Sequence, residues 1–219
     1  MRSSRRNQPD IEKLADFLQR AESIAFLTGA GMSTESGIPD FRSATGLYAS
    51  GINENIFDIH EFRKDPAPFY RFAKDFFTSV MAAQPHPGHY AITALQKEFG
   101  KDVRVSTQNI DTLHQEAGTE NVYPIHGTVE TCTCLRCGHI VNSEDLFPAI
   151  ARERIPRHKD NGCGGLYKPG IVFFGESLPL AIVMRSETAM RHAQVVVIAG
   201  TWVTAYPAAR LTLSRPTST

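Results

Sequence analysis

Three short apolar runs, IAFL at 24–27, VRVS at 103–106 and VVVIA at 195–199, each stop abruptly at a polar or glycine turn. Runs of this length suit strands buried on both faces of a parallel sheet, and the helical stretches between them supply the cover that such a sheet needs. NVYPIHG, at 121–127, is a candidate fourth strand. In open parallel sheets ligands bind beyond the carboxyl ends of the strands. The most unusual polar groups of this chain fall at those ends: Gly29-Ala30-Gly31, Gln108-Asn109-Ile110-Asp111, His126-Gly127 and Gly200-Thr201. The expectation is one site assembled from several strand ends in an α/β fold.

Before the first strand, Asp10 is placed as the N-cap of a helix that carries Ile11, Leu14 and Leu18 on one face. Two segments break the alternation of strand and helix. Residues 45–83 hold Phe69, Phe72, Phe76 and Val80 at helical spacing behind the start signal Pro66/Pro68, a stripe that belongs to a core. Residues 131–170 hold all four cysteines together with Gly162, Gly164, Gly165 and Gly170, a loop-rich composition that needs a staple. Both read as insertions forming a smaller lobe. The parallel-sheet domain is then left with 8–44, 84–130 and 171–219.

The chain has 219 residues, enough for this arrangement, and its 23 basic residues balance its 23 acidic ones. That balance argues against a nucleic-acid partner, including one held by a zinc knuckle, and against an anionic membrane surface. No apolar run has the length of a membrane span, and MRSSRRNQPD lacks the apolar stretch of a secretory signal. Four cysteines, three of them crowded into TCTCLRCG, suit a metal in a reducing compartment better than a disulfide framework. The cytoplasm is the expected location.

TGAGMSTESGIPDFR, 28–42, is the most informative segment. A glycine turn between strand and helix lets backbone N–H groups approach a pyrophosphate. As a dinucleotide fingerprint it is irregular, because Thr34 stands where a third glycine is expected. The continuation matters more, since Asp40, Phe41 and Arg42 together have little use in a plain connection. In QNID two amides suit ribose hydroxyls and Asp111 suits a carboxamide N–H, although an ordinary Asn/Asp turn with local hydrogen bonds fits the spacing equally well. Among eight histidines, His60, His86, His89, His114 and His192 take a structural reading by default. His126 differs, since it ends a strand beside a glycine at the same edge as QNID, where a neutral imidazole serves as a general base. Cys134 and Cys137 form a CxxC knuckle, with Cys163 as a third ligand; His158, Cys132 and Asp160 compete for the fourth place.

GAGMSTESGIPDFR, TQNID, IHG, the CxxC pair followed by GCGGLYKPGIVFFGE, and AGTWVTAYPAARL stand in the order and spacing of the sirtuins, NAD-dependent protein-lysine deacylases. The resemblance covers residues 10–213, and FDIHEF with FYRFAKDFF is most similar to the bacterial deacetylase branch. It implies a Rossmann-like large lobe, with helices on both faces of the sheet, and a small lobe made of a helical and a structural-zinc module. NAD and an acyl-lysine peptide would meet between the lobes. By the resemblance, Gly29, Ala30, Gly31, Thr34, Asp40, Phe41 and Arg42 form the cofactor loop, joined by Gly200 and Thr201. Gln108, Asn109, Ile110 and Asp111 form the ribose and nicotinamide pocket, with Asn109 also in a catalytic role beside His126, the general base. Val172, Phe174, Gly175 and Glu176 match the strand that pairs with the substrate peptide. The implied chemistry is attack of the acyl oxygen on the ribose carbon that bears nicotinamide, activation of a ribose hydroxyl by His126, and release of lysine and acyl-ADP-ribose. The family's second cysteine pair is broken here; its Cys-x4-Cys spacing puts His158 in the vacant place, giving Cys134, Cys137, His158 and Cys163 around Zn2+.

Two departures accompany the match. The family's GTS reads Gly200-Thr201-Trp202, and Ala205 replaces a larger apolar residue. After PAARL only TLSRPTST follows, without the further strand and Asn-bearing loop that hold the adenosine end of NAD in the family. The alternatives are therefore an impaired NAD- or peptide-binding remnant and a mono-ADP-ribosyltransferase. Succinyl-specific members carry a Tyr and an Arg three apart; here Tyr48 is followed by Ser50 and Gly51, which favours acetyl or another neutral acyl group. A monomer is expected.

Overall fold

The computed structural model of the chain describes residues 8–41 and 43–201. Arg42, Trp202, Ala205 and the polar C-terminal run lie outside the described residues. In chain order the first elements are α1 (Gln8–Arg20), β1 (Ser23–Thr28), α2 (Ile59–Lys64), α3 (Ala67–Ala82), α4 (Pro87–Lys97), β2 (Asp102–Thr107) and α5 (Leu113–Glu116). They are followed by β3 (Val122–Pro124), β4 (Gly127–Cys134), β5 (Ile140–Asn142), α6 (Ser143–Ile150), β6 (Tyr167–Ile171), α7 (Leu180–His192) and β7 (Val195–Ala199).

The three apolar runs and NVYP become one parallel sheet in the order β3-β2-β1-β7. Side-chain alternation along β1 explains why its sequence is apolar throughout. Ile24 and Phe26 pack with Val103, Val105 and Ile92 of α4 on one face. Ala25 and Leu27 pack with Met190 of α7, Ala193 and Ile125 on the other. Helices thus cover both faces, as the sequence implies. The first helix departs from expectation. It begins at Gln8, so that Asp10 lies within its first turn, where the helix dipole favours a carboxylate, rather than at the cap. Of its apolar stripe only Leu18 joins the core; Ile11 is 63% and Leu14 43% exposed.

A second sheet, antiparallel and ordered β5-β4-β6, runs through the cysteine-rich segment that composition alone presents as loop. Gly127, at the root of β4, has φ +72°, and a Cβ there would meet the Gly170 carbonyl oxygen at 1.9 Å. Only glycine allows β6 to cross that close. The expected stripe on α3 is realised: Phe69, Phe76 and Val80 are buried, with Tyr70, Ala73 and Phe77 beside them. Pro68 sits in the first turn, where its missing N–H costs no helical bond.

These aromatic residues do not form a core of their own. Phe62 of α2, Phe69 of α3 and Phe173, just past β6, meet at ring separations of 5.0 to 5.3 Å. Ile150 of α6, Leu166 and Ile171 belong to the same cluster, so the helical insertion and the cysteine-bearing segment share one hydrophobic core. Phe62 is 1% exposed at its centre. Phe62→Ala should cost about 3–5 kcal/mol in urea unfolding, because the ring's partners, Phe69 and Tyr70 of α3 and Phe173 past β6, come from distant segments and do not collapse together into the void.

Candidate functional site

Parallel pairing aligns Thr28 of β1 with Thr107 of β2 and Ala199 of β7. The turns after these three strands therefore leave the sheet at one edge. The β1 and β7 turns interlock: Gly29 N donates to Ala199 O at 3.1 Å and Gly31 N to Gly200 O at 2.9 Å. A Cβ on Gly29 would meet the Thr201 Cβ at 2.6 Å, and one on Gly200 would meet Met32 N at 2.1 Å. The glycines are thus required by two backbones packing against each other. The turn leaves the half-buried Ala30 N–H without a partner among the described residues.

QNID is more than a local turn. Asn109 Nδ2 donates to Ser33 Oγ at 2.8 Å, and Ser33 Oγ donates to Asp111 Oδ2 at 2.7 Å. Gln108 Nε2 donates to Thr201 Oγ1 at 3.0 Å. Ser33 is absent from the sequence-based candidates, yet it is 1% exposed and joins the two motifs. Its only sequence signal is its position inside GAGMST, a segment conspicuous for its glycines. Burial raises the Asp111 carboxyl above its ordinary 3.8, while the bonds from Ser33 and the Leu113 amide oppose that shift. Ile110 differs from its neighbours: it packs against the aromatic core, and its carbonyl accepts from Val129 N at 3.0 Å.

His126 lies beside this network, with Nδ1 2.8 Å from the Gln108 carbonyl oxygen. A carbonyl only accepts, so Nδ1 carries the proton and Nε2 keeps its lone pair. Burial pushes the imidazole below its ordinary 6.5, and the Gln108 carbonyl partly restores it. The result is a neutral imidazole with a fixed tautomer, which is what a general base near neutral pH needs.

The flank of the glycine turn is arranged differently. Thr34 Oγ1 donates to Gly31 O at 3.0 Å, and Asp40 Oδ1 accepts from Ser43 N at 2.9 Å, so both close turns within the loop. Phe41 packs toward Tyr48 and Phe57 at 5.8 and 6.0 Å. Arg42 lies outside the described residues.

Behind the glycine turn stand three of the histidines given a structural reading. His86 Nε2 reaches the Met32 carbonyl at 2.6 Å, and His114 Nε2 lies 3.1 Å from Thr28 Oγ1. His89 sits between them, with ring centroids 4.4 and 4.8 Å away. Burial holds His89 down to about 4 and His114 down to about 3, each reinforced by its imidazole neighbours.

The substrate-strand candidates are partly spent on the fold. Phe174 N donates to Phe57 O at 2.8 Å, and its carbonyl accepts from Ile59 N at 3.0 Å. Val172 N donates to His126 O at 2.7 Å, and the Glu176 carboxylate turns inward to Lys168. The Gly175 backbone has no hydrogen-bond partner among the described residues, and the Val172 carbonyl likewise.

Cys134, Cys137, His158 and Cys163 bring one ligand atom each to within 4.8 Å of one another. The Cys134–Cys163 sulfur separation is 3.7 Å, and Cys137 Sγ lies 3.2 Å from His158 Nδ1. Zn–S bonds of about 2.3 Å in a tetrahedron require sulfurs about 3.8 Å apart, so the donor set fits zinc. Gly165 is required here, because a Cβ would lie 2.4 Å from Cys134 Sγ. Cys132 is excluded from the cluster; it is buried and faces Ser143 Oγ at 3.3 Å. Asp160 stands behind His158, 3.5 Å from Nε2, where a carboxylate orients a ligating imidazole.

Two measurements check these assignments. Zinc content should fall sharply on His158→Ala and remain on Cys132→Ala, read by metal analysis of the purified variants. The His89/His114 pair binds protons less readily folded than unfolded, so its contribution to stability is complete above about pH 6.5 and is lost as pH falls toward 4 and then 3. The urea midpoint should drop across that window, and a His89→Asn, His114→Asn protein should show a shallower drop.

A family model described as "Sir2 family" matches residues 29–207. The NAD-dependent protein deacetylase of Thermotoga maritima is 38% identical over 203 residues, covering 93% of this chain and 81% of its own. NAD-dependent protein deacylase 2 of Archaeoglobus fulgidus is 35% identical over 205 residues, covering 93% and 79%. Among solved structures, a Sir2 variant with a deacetylated p53 peptide and 3′-O-acetyl ADP-ribose superposes with a TM-score of 0.86 at 38% identity, covering 93% of this chain and 81% of that one. A match of this extent in both sequence and fold means that the chain belongs to the Sir2 family.

Proposed function

We propose that the chain is an NAD-dependent protein-lysine deacylase, with His126 as its general base. The observation that carries the reading is the tautomer of His126: the Gln108 carbonyl holds the proton on Nδ1 and leaves Nε2 free, beside the Asn109–Ser33–Asp111 chain. The names of the Thermotoga and Archaeoglobus relatives support the co-substrate and the reaction class. NAD, when bound, would supply a ribose carbon electrophilic enough to accept the acyl oxygen of a modified lysine as nicotinamide leaves.

The residues of the chain do the rest. The open Ala30 N–H and the interlocked turns of Gly29, Gly31 and Gly200 with Thr201 offer the pyrophosphate side, with Thr34, Asp40 and Phe41 on the loop that follows. Gln108, Asn109 and Asp111 line the ribose and carboxamide side, backed by Ile110 on the aromatic core, and Ser33 sets the rotamers of Asn109 and Asp111. His126 takes a ribose hydroxyl proton at Nε2. Val172, Gly175 and the adjoining Phe174 and Glu176 present the edge beside which the peptide lies. Zinc, held by Cys134, Cys137, His158 and Cys163, is structural and performs no step.

The division into a large domain (8–44, 84–130 and 171–219), a helical module (45–83) and a zinc module (131–170) belongs to the same reading. So do a neutral acyl group, a cytoplasmic location and a monomer. No helix among the described residues is long and apolar enough to cross a membrane.

Nicotinamide release should require both NAD and an acetyl-lysine peptide. His126→Ala should lower kcat/KM by about 10²–10⁴-fold, the range of general-base removal. Because burial depresses the His126 pKa, kcat/KM should rise with pH through a limb centred below 6.5 and level off by neutrality. NAD binding without turnover at any pH would make the chain a cofactor-binding remnant instead.

A further inference from the structure

The segment that ends in the substrate edge contains a buried cation that the reaction does not use. Lys168, on β6, is 6% exposed. Its Nζ lies 2.8 Å from Glu176 Oε2 and donates to the carbonyls of Pro169 at 3.1 Å and Ile171 at 2.7 Å. The same ammonium sits 4.3 Å from the centroid of the Phe173 ring. Glu176 Oε2 in turn accepts from Phe173 N at 2.8 Å, and Glu176 N donates to Phe173 O at 3.0 Å.

One side chain therefore ties residues 169, 171, 173 and 176 into a single turn. Among the described residues, the backbone groups left open between them are the Val172 carbonyl and the N–H and carbonyl of Gly175, the ones available to a strand added from outside. A cleft of about 730 Å3 runs beside this turn, lined by Ile59, Arg63, Gly170, Val172, Gly175 and Glu176. Gly175, at φ +84°, gives no rigidity of its own to the edge, so its geometry depends on what anchors either side.

We propose that Lys168 is a positioning residue for the acyl-lysine peptide, acting through Glu176 and the Pro169 and Ile171 carbonyls to hold the 172–175 edge in a shape that accepts a peptide strand. The inference rests on the function proposed above. A core lysine with only a packing role would affect stability and all kinetic constants together. A clamp on the peptide edge affects the peptide alone, since binding to a preorganised edge avoids the cost of ordering it. Buried ion pairs are weak sources of net stability and better suited to fixing one geometry.

The test compares wild-type protein with Lys168→Met, which keeps the stem and removes the charge. Peptide KM should rise about tenfold while kcat and the KM for NAD stay within about twofold, a loss of binding shared by ground and transition states. Lys168→Arg should recover most of the peptide affinity. Should Lys168→Met fail to fold, Lys168→Gln, which also removes the charge, is read in the same way. An unchanged peptide KM in a folded variant, or a parallel decline of kcat and both KM values, overturns the proposal and leaves the deacylase reading standing. Wild-type protein that neither binds an acetyl-lysine peptide, by fluorescence anisotropy, nor releases nicotinamide overturns both.

Discussion

Parallel pairing of β1 with β2 on one side and β7 on the other is the constraint on which the site depends. The register sets Thr28 beside Thr107 and Ala199, so the glycine turn, QNID and Gly200-Thr201 emerge at one edge although up to 171 residues separate them in the chain. Two of these turns then approach so closely that side chains at Gly29 or Gly200 would strike backbone or Cβ atoms. A parallel sheet hydrogen-bonds no strand to its immediate successor by a tight turn, so every crossover must travel back over a face. In doing so α4 and α7 bury the two faces of the strands, with α1 adding Leu18 to one of them.

The insertions answer a different physical problem. A loop-rich segment of about forty residues buries too little apolar surface to order itself. Here a shared aromatic core and a Cys3His cluster solve that together, with Phe173 on one side and Cys134 on the other end of the same antiparallel sheet. The core is also continuous with the edge proposed to meet a peptide, because Phe173 is flanked by Val172 and Phe174, and the buried Lys168–Glu176 pair lies at that junction.

Much of the chemistry is legible in the sequence because each motif sits at the end of a strand that its own apolar pattern announces. Cooperation between motifs is not. Ser33 is invisible there as a functional residue, since a serine among glycines has no spacing signal; only folding places it between Asn109 and Asp111. The α1 stripe misleads in the opposite direction, because helical periodicity reports that one face is apolar without saying that anything covers it. In the cysteine-rich segment β5 and β6 are only three and five residues long, and β4 lacks the apolar run that marks the strands of the parallel sheet.

The sequence by itself determined the parallel sheet, the edge at which polar groups gather and the family, since period, turn residues and motif order are local properties of the chain. It also narrowed the metal ligands to Cys134, Cys137 and Cys163 with three candidates for the fourth. The family resemblance already favoured His158. The tertiary structure agrees with that arrangement by gathering His158 with the three cysteines and turning Cys132 toward Ser143, because side-chain direction on adjoining strands and loops depends on register. Tertiary structure decided the His126 tautomer, which is set by a carbonyl eighteen residues earlier in the chain, and the inward turn of Glu176, which is set by a lysine on the neighbouring strand. Each is a contact between segments whose distance in space the linear order does not fix.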